Sequence, residues 1–418
     1  MRTFQKKWEI EGNLMNTIEE EFEYPVTELH PDEGVKAQDE TFHMDEIVTV
    51  AVAHGAHDTY FAYLPTILPL LIQNLALNTT QAGLLSAFSQ LPNLVQPLIG
   101  HLADRKNLKM LVVLAPTFSG VLITLLGVAP SFGLAALLMT LAGFGTACFH
   151  AVAPAIVSAR SGKKVGRGLG FFMVGGELGF GLGPLVVVAT IAYLTLRGLP
   201  WLMILGMLAS VILYFRLKDV STVRAVQTES VMGIKETLLE MRSLMMPIMA
   251  IIFLTAFLSA NIVNYLPTFM SGEGSSFALA GASLSIVELG GTVGVLLMGL
   301  FSDRVGQRNI ALGGTVLTAL FSIGFLLLQG WMQIVMLLGV GLSAFVANPA
   351  YLAMVQSRFT QNRSLSNGIY MSSSFVIRSL VVVLVGMLAD HFGMRSVFMG
   401  SAAVSLLSVP FILSLPKK

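Results

Sequence analysis

Runs of about twenty apolar residues recur along this chain, each long enough to cross a hydrocarbon layer of roughly 30 Å as a helix. Barrel strands would alternate apolar and polar with period two, and segments such as 111–126 and 380–388 do not. With 54% hydrophobic and 12% charged residues, the chain cannot cover itself with a water-facing surface. The predicted fold is an all-α membrane protein, and its principal partner is the lipid bilayer. A net charge of +1 offers nothing to a nucleic acid.

Hydropathy and turn residues place twelve spans near 47–76, 81–103, 109–128, 132–159, 167–192, 199–217, 245–271, 279–302, 309–329, 331–359, 364–389 and 396–415. The first 46 residues carry 13 acidic and 4 basic side chains and no sustained apolar run. They read as an acidic cytoplasmic tail, expected to be disordered. They are not expected to act as a signal peptide, because the apolar core begins only at Ile47. The single cysteine, Cys148, sits in an apolar stretch and reads as a packing residue. The longest gap, 218–244, contains Lys218, Arg224, Lys235 and Arg242 and reads as a cytoplasmic linker between bundles at 47–217 and 245–418. Loops on the linker side, with the C-terminus, hold 18 Lys and Arg residues, against Arg197 and Arg395 opposite. Both termini are therefore expected in the cytoplasm of a bacterial-type inner (plasma) membrane.

Three strings repeat about two hundred residues apart and in the same order. Tyr63-Leu64-Pro65-Thr66 matches Tyr265-Leu266-Pro267-Thr268, and Gly170-Phe171-Phe172-Met173 matches Gly368-Ile369-Tyr370-Met371. Between them, Gly100-His101-Leu102-Ala103-Asp104-Arg105 matches Gly299-Leu300-Phe301-Ser302-Asp303-Arg304. Each pair falls in corresponding spans, which predicts two pseudo-symmetric six-helix bundles, the frame of alternating-access carriers. Gly100, Asp104 and Arg105, with Gly299, Asp303 and Arg304, are candidate gate residues: glycine permits close helix approach and the charges can lock a loop. A further variant, Gly386-Met387-Leu388-Ala389-Asp390, ends span 11 on the opposite face.

The Gly-x-Leu-Ala-Asp-Arg string resembles the loop 2–3 signature of the major facilitator superfamily. Span 5 carries Gly175, Gly179, Gly183 and Pro184, small residues at helical spacing that suit close packing. That string resembles the span 5 signature of drug/proton antiporters, with Leu185 and Val186 where a glycine pair is expected. Phe149-His150, the basic stretch after Arg160 and the glycines of span 5 resemble the fosmidomycin-resistance family of facilitators. That family carries a histidine and an aspartate in span 1, where this chain has His54, His57 and Asp58. Ala151-Val152 stands in place of the family's Pro-Glu, and His57-Asp58 in place of its Asn-Asp. The resemblance covers the chain from about residue 47 and implies a carrier that works as a monomer.

Ionisable groups inside spans are costly and mark functional sites. His54 and Asp58 are one helical turn apart and share a face, so they can exchange a proton. His57, His150 and Glu177 are the other candidates for proton coupling; the histidines have a static hydrogen-bonding role as the alternative, and Glu177 a buried ion pair with Arg378, a substrate contact, or both. Arg378, near-equivalent to Glu177 in the second half, suits an anion or a carboxylate. Phe61, Phe149, Asn261, Asn264, Tyr265, Tyr370 and Glu288 are candidate cavity-wall residues, with plain helix packing as the competing role. Neither a His-Glu-x-x-His motif nor a phosphate loop is present, so an enzyme is disfavoured and no cofactor or metal is called for. Three functions remain open: proton-coupled export of small organic compounds, proton-coupled import of an anionic metabolite, and a non-transporting sensor that signals through the acidic tail.

Overall fold

A computed structural model describes residues 41–162, 164–218, 234–359 and 363–416. The bulk of the tail and linker expectations, at 1–40 and 219–233, lies outside the described residues. The first half contains α1 (Met44–Phe61 and Tyr63–Leu75), α2 (Thr79–Gln90, a 3-10 turn Leu91–Val95, and Gln96–Arg105) and α3 (Lys109–Thr124, with Leu125–Val128). It continues with α4 (Phe132–Arg160), α5 (Val165–Leu194) and α6 (Leu196–Leu202 and Met203–Arg216). The second half contains α7 (Ile234–Ala260, a π turn Asn261–Tyr265, and Leu266–Gly272), α8 (Phe277–Val305) and α9 (Gln307–Leu327). It ends with α10 (Trp331–Ala344 and Ala347–Arg358), α11 (Arg363–Phe392) and α12 (Met394–Leu406 and Val409–Ser414). Helix α7 starts at Ile234, well ahead of the span start expected at residue 245.

Ten of these, α3 to α12, are long and apolar enough to cross a membrane. The other two are interrupted and more polar: the first piece of α1 holds Asp45, Glu46 and Asp58, and α2 is broken at Leu91–Val95. The repeated Tyr-Leu-Pro-Thr strings explain a matched pair of breaks. Pro65 and Pro267 lack an amide hydrogen and cannot bond the carbonyls of Phe61 and Val263. The first piece of α1 accordingly ends at Phe61, and α7 relaxes into its π turn around Val263.

The helix packing repeats across the halves. Helix α2 packs along α11, and α8, its counterpart, packs along α5, the counterpart of α11. At the end holding the α1–α2 turn, one apolar core draws Leu68 and Leu71 from the first half together with Tyr265, Val382 and Val397 from the second. At the opposite, basic end the described cores are separate. One gathers Ile47, Val112 and Val157, the other Ile248, Val355 and Leu415. The seam at the shared end is also tied by polar groups. The backbone amides of Thr79 and Thr80 donate to Asp390 at 2.7 and 2.9 Å, and the Thr80 hydroxyl donates at 2.5 Å. A carboxylate thus caps the first turn of α2. The Tyr265 hydroxyl, seated against Gly83 and Gly386, donates to Val382 O at 2.9 Å.

Helix α1 packs closely against α5. A Cβ added at Gly175, Gly179 or Gly183 would lie 2.1, 2.1 or 2.5 Å from the carbonyl oxygens of Ala51, Gly55 and Thr59. The small-residue stripe of α5 therefore packs against the backbone of α1, as its spacing predicts. At Gly100 no close approach occurs among the described residues: an added Cβ would meet none of them within 4 Å. The side chains of Asp104, Arg105 and Asp303 lie outside the described residues, and Arg304 is exposed.

Gly179→Ala is expected to destabilise the α1–α5 pair by about 1–3 kcal/mol through overpacking, seen as a lower thermal midpoint in detergent. Gly170→Ala, on the same helix with open space around it, is expected to leave the midpoint unchanged or raise it slightly.

Candidate functional site

A cavity of about 540 Å³ lies between the halves, walled by α1, α2, α4 and α5 on one side and by α7 and α11 on the other. Its chemistry differs from wall to wall. The first half contributes His54, Asp58, His150 and Glu177, and the second contributes Asn264 and Arg378. Phe61, Phe172, Phe180 and Phe375 supply aromatic surface.

His54, Asp58 and His150 meet at one point. Asp58 Oδ2 lies 3.0 Å from His54 Nε2, one turn away on α1. His150, brought in by α4, places its Nε2 3.1 Å from His54 Nε2 and 3.6 Å from Asp58 Oδ1. The Phe172 carbonyl sits 2.8 Å from His54 Nδ1. A carbonyl only accepts, so His54 Nδ1 carries a hydrogen and Nε2 is left to face Asp58 and His150. Stacking on Phe172, with ring centroids 3.9 Å apart, holds the His54 ring in this orientation. Gly176 makes the cluster possible on the α5 side, since an added Cβ would lie 2.6 Å from His54 Nε2 and 2.9 Å from Asp58 Oδ2.

His57 stands behind this group, outside the cavity wall. It is fully buried, contacts the hydroxyls of Ser119 and Thr146 at 3.0 and 3.2 Å, and stacks on Phe149. Phe149 is likewise fully buried and supports the histidines from behind. Glu177 and Arg378 face the same cavity from opposite halves, yet Arg378 Nη2 donates to Asn348 Oδ1 at 3.1 Å. No ion pair between Glu177 and Arg378 occurs among the described residues.

Four further candidates lie away from the cavity wall. Asn261 is buried and its amide donates to Phe257 O and Ser401 Oγ, tying α7 to α12. Tyr265 belongs to the α2–α11 seam, and Tyr370 is buried in the core at the basic end of the second half. Glu288 is 5% exposed within α8, close enough to Glu177 for the two carboxylates to interact. Polar residues of α2 that sequence reading missed do line the cavity: Gln90, Asn93 and Gln96. Their signal was an amide-rich, proline-bounded stretch inside an otherwise apolar span. The Asn93 amide donates to Gln90 O at 3.0 Å, and that of Gln96 to Asn93 Oδ1 at 2.7 Å.

A polar cavity at the interface of two duplicated helical bundles is the architecture of a secondary membrane carrier. The chain belongs to the major facilitator superfamily: the family model of that description matches residues 50–381 and 289–418. It is 24% identical over 369 residues to the fosmidomycin resistance protein of Escherichia coli (strain K12), covering 86% of this chain and 90% of that one. It is 23% identical over 377 residues to YfnC, an uncharacterized MFS-type transporter of Bacillus subtilis (strain 168), covering 87% and 91%. Among solved structures it resembles a bacterial homolog of the human lysosomal transporter Spinster in an inward-facing, unoccupied conformation. The TM-score is 0.72 at 14% identity, over 88% of this chain and 95% of that one. A D-xylose–proton symporter gives a TM-score of 0.71 at 15% identity, over 89% and 98%. The protein is therefore a multi-pass membrane transporter of small molecules and not an enzyme.

Gly176→Ala is expected to push His54 and Asp58 apart and to reduce transport at least tenfold while the protein still inserts and folds. Uptake or efflux by whole cells, read beside the thermal midpoint of the purified variant, checks this.

Proposed function

We propose that this transporter exports small organic compounds in exchange for protons, using His54, Asp58 and His150 as the proton-binding group. The observation that carries the reading is the position of that group, on the wall of the cavity a substrate must occupy. An imidazole beside a carboxylate exchanges protons near neutral pH. With His54 Nδ1 committed to the Phe172 carbonyl, the exchangeable proton belongs between Nε2 and Asp58. A substrate that takes its place at the Asp58 carboxylate makes loading by proton and by substrate mutually exclusive, which is what antiport requires. Glu177 supplies a second carboxylate, and Asn264, Phe61 and Phe180 suit an amphipathic molecule. His57 positions the cluster from behind.

Export is favoured by the similarity to the fosmidomycin resistance protein. The rival reading, import of an anionic metabolite with protons, draws on Arg378, whose guanidinium faces the cavity from the second half. We take the basic end as cytoplasmic and the protein as a monomer in a bacterial inner membrane. The Asp390-capped seam then closes the external side, and the cavity belongs to an inward-open state.

In liposomes carrying an internal pH dye, a substrate gradient is expected to drive proton movement in the wild type, and Asp58→Asn to reduce it to background. Counterflow of substrate and protons supports export by antiport; movement in the same direction supports the importer. Proton flux that survives in Asp58→Asn removes the cluster from the coupling role.

Asp390→Asn weakens the cap on α2 by about 1 kcal/mol. It is expected to raise the population open at that end about fivefold. Spin labels at Asn74→Cys and Phe392→Cys, with Cys148→Ser, report it as a longer-distance component in pulsed dipolar spectra.

A further inference from the structure

The three side chains on the cavity wall also have the donor set and spacing of a metal site. His54 Nε2 lies 3.0 Å from Asp58 Oδ2 and 3.1 Å from His150 Nε2, which lies 3.6 Å from Asp58 Oδ1, so one ligand atom from each of the three side chains falls within 4.8 Å of the other two. Ligand atoms set about 2.0–2.1 Å from a tetrahedral ion lie about 3.3 Å from one another; the two imidazole nitrogens already stand at that spacing, and the Asp58 carboxylate reaches each of them with one of its oxygens. Two imidazoles and a carboxylate, with a position left open, form a donor set suited to borderline divalent ions.

The surroundings complete the case. His54 donates its other ring nitrogen to the Phe172 carbonyl at 2.8 Å, the outer-shell bond that presents the opposite nitrogen as a ligand. Three lone-pair atoms brought this close repel unless something positive sits among them, either a proton or a cation. Gly176 lies directly against His54 Nε2 and Asp58 Oδ2, where any side chain would collide with the ligand atoms. Glu177, exposed on the cavity side and within interaction range of both His54 and Asp58, adds negative charge.

We infer that His54, Asp58 and His150 bind one divalent transition-metal ion of the Zn²⁺, Co²⁺ or Ni²⁺ class, its open coordination position turned toward the cavity. The inference does not rest on proton coupling: the ion and the proton compete for the same lone pairs, and either can be present without the other. Sequence spacing hides the site, because His150 lies 96 positions from His54.

The test uses the full-length chain, purified without a polyhistidine tag, with Zn²⁺ as the probe in titration calorimetry and X-ray absorption. The expected result is one Zn²⁺ per chain, with two imidazole nitrogens at about 2.0–2.1 Å. Affinity should fall at least tenfold between pH 7.5 and 5.5, as protons reclaim the ligands. His150→Gln should weaken binding at least tenfold, and His101→Gln, which removes an exposed histidine of α2 outside the site, should leave it unchanged. The absorption spectrum of the wild type decides the matter even if a ligand variant fails to fold. Absent binding, an oxygen-only shell, or equal affinity in a folded His150→Gln overturns the proposal. Because the readout is binding, that failure stays separate from failure of the proton-flux assay.

Discussion

The contact between the α5 glycine stripe and the α1 backbone is the constraint on which the rest of the site depends. A carboxylate and two histidines placed mid-span would be expensive in hydrocarbon unless protein surrounds them. Gly175, Gly179 and Gly183 bring α5 against Ala51, Gly55 and Thr59, close enough for Gly176 to lie over the His54–Asp58 pair. The same approach brings the Phe172 carbonyl to His54 and the Phe172 ring under it. Packing and chemistry are therefore one arrangement. The residues that let the helices touch also fix which nitrogen of His54 faces the cavity.

Much of the fold could be read from the chain because its signals are local. Apolar runs of spanning length, the three repeated strings and the small-residue spacing in span 5 each state a property of one helix or of a matched pair. The site was only partly legible, for a reason that Tyr265 shows well. Its string was seen to repeat, and its amide and aromatic neighbours were read as cavity wall. In the structure the proline of that string breaks the helix, and the Tyr265 hydroxyl serves the α2–α11 seam. Asn261 fails in the same way, turned toward Ser401. Hydropathy gives depth in the bilayer but not the direction in which a mid-span polar residue points, and a π turn shifts that direction further.

His54 and Asp58 were legible together, because four residues on one helix define a common face. The third corner was not, since nothing in local spacing ties His150 to α1; His150 stands out as an ionisable residue inside a span and through resemblance, but not as a neighbour of His54 and Asp58. The gate motif gives the opposite lesson. Its repetition marks equivalent positions in the two halves, yet at Gly100 the close approach expected of the glycine is absent among the described residues. A repeated string identifies common ancestry of position more securely than common mechanics.

Duplication gives the protein two matching interfaces, but their residues have diverged. At the α2–α11 seam, Asp390 holds the first turn of α2 through three hydrogen bonds, and Tyr265 adds a bond to Val382. Alignment of Gly170 with Gly368 places Ala192 where the second half has Asp390. At the α5–α8 seam the glycine contacts are instead apolar, with Gly181 against Leu289 and Gly281 against Val188. Apolar contacts slide with little directional penalty, whereas a capped helix end holds one geometry until its bonds are replaced by water. The two seams therefore differ in kind: one is held by directional hydrogen bonds to a helix end, and the other includes close apolar contacts at its glycines. The same division runs through the cavity, where carboxylates and imidazoles occupy the first half and Arg378 the second. A symmetric frame thus encloses a polarised chamber, with imidazoles and carboxylates on the first half facing a guanidinium on the second.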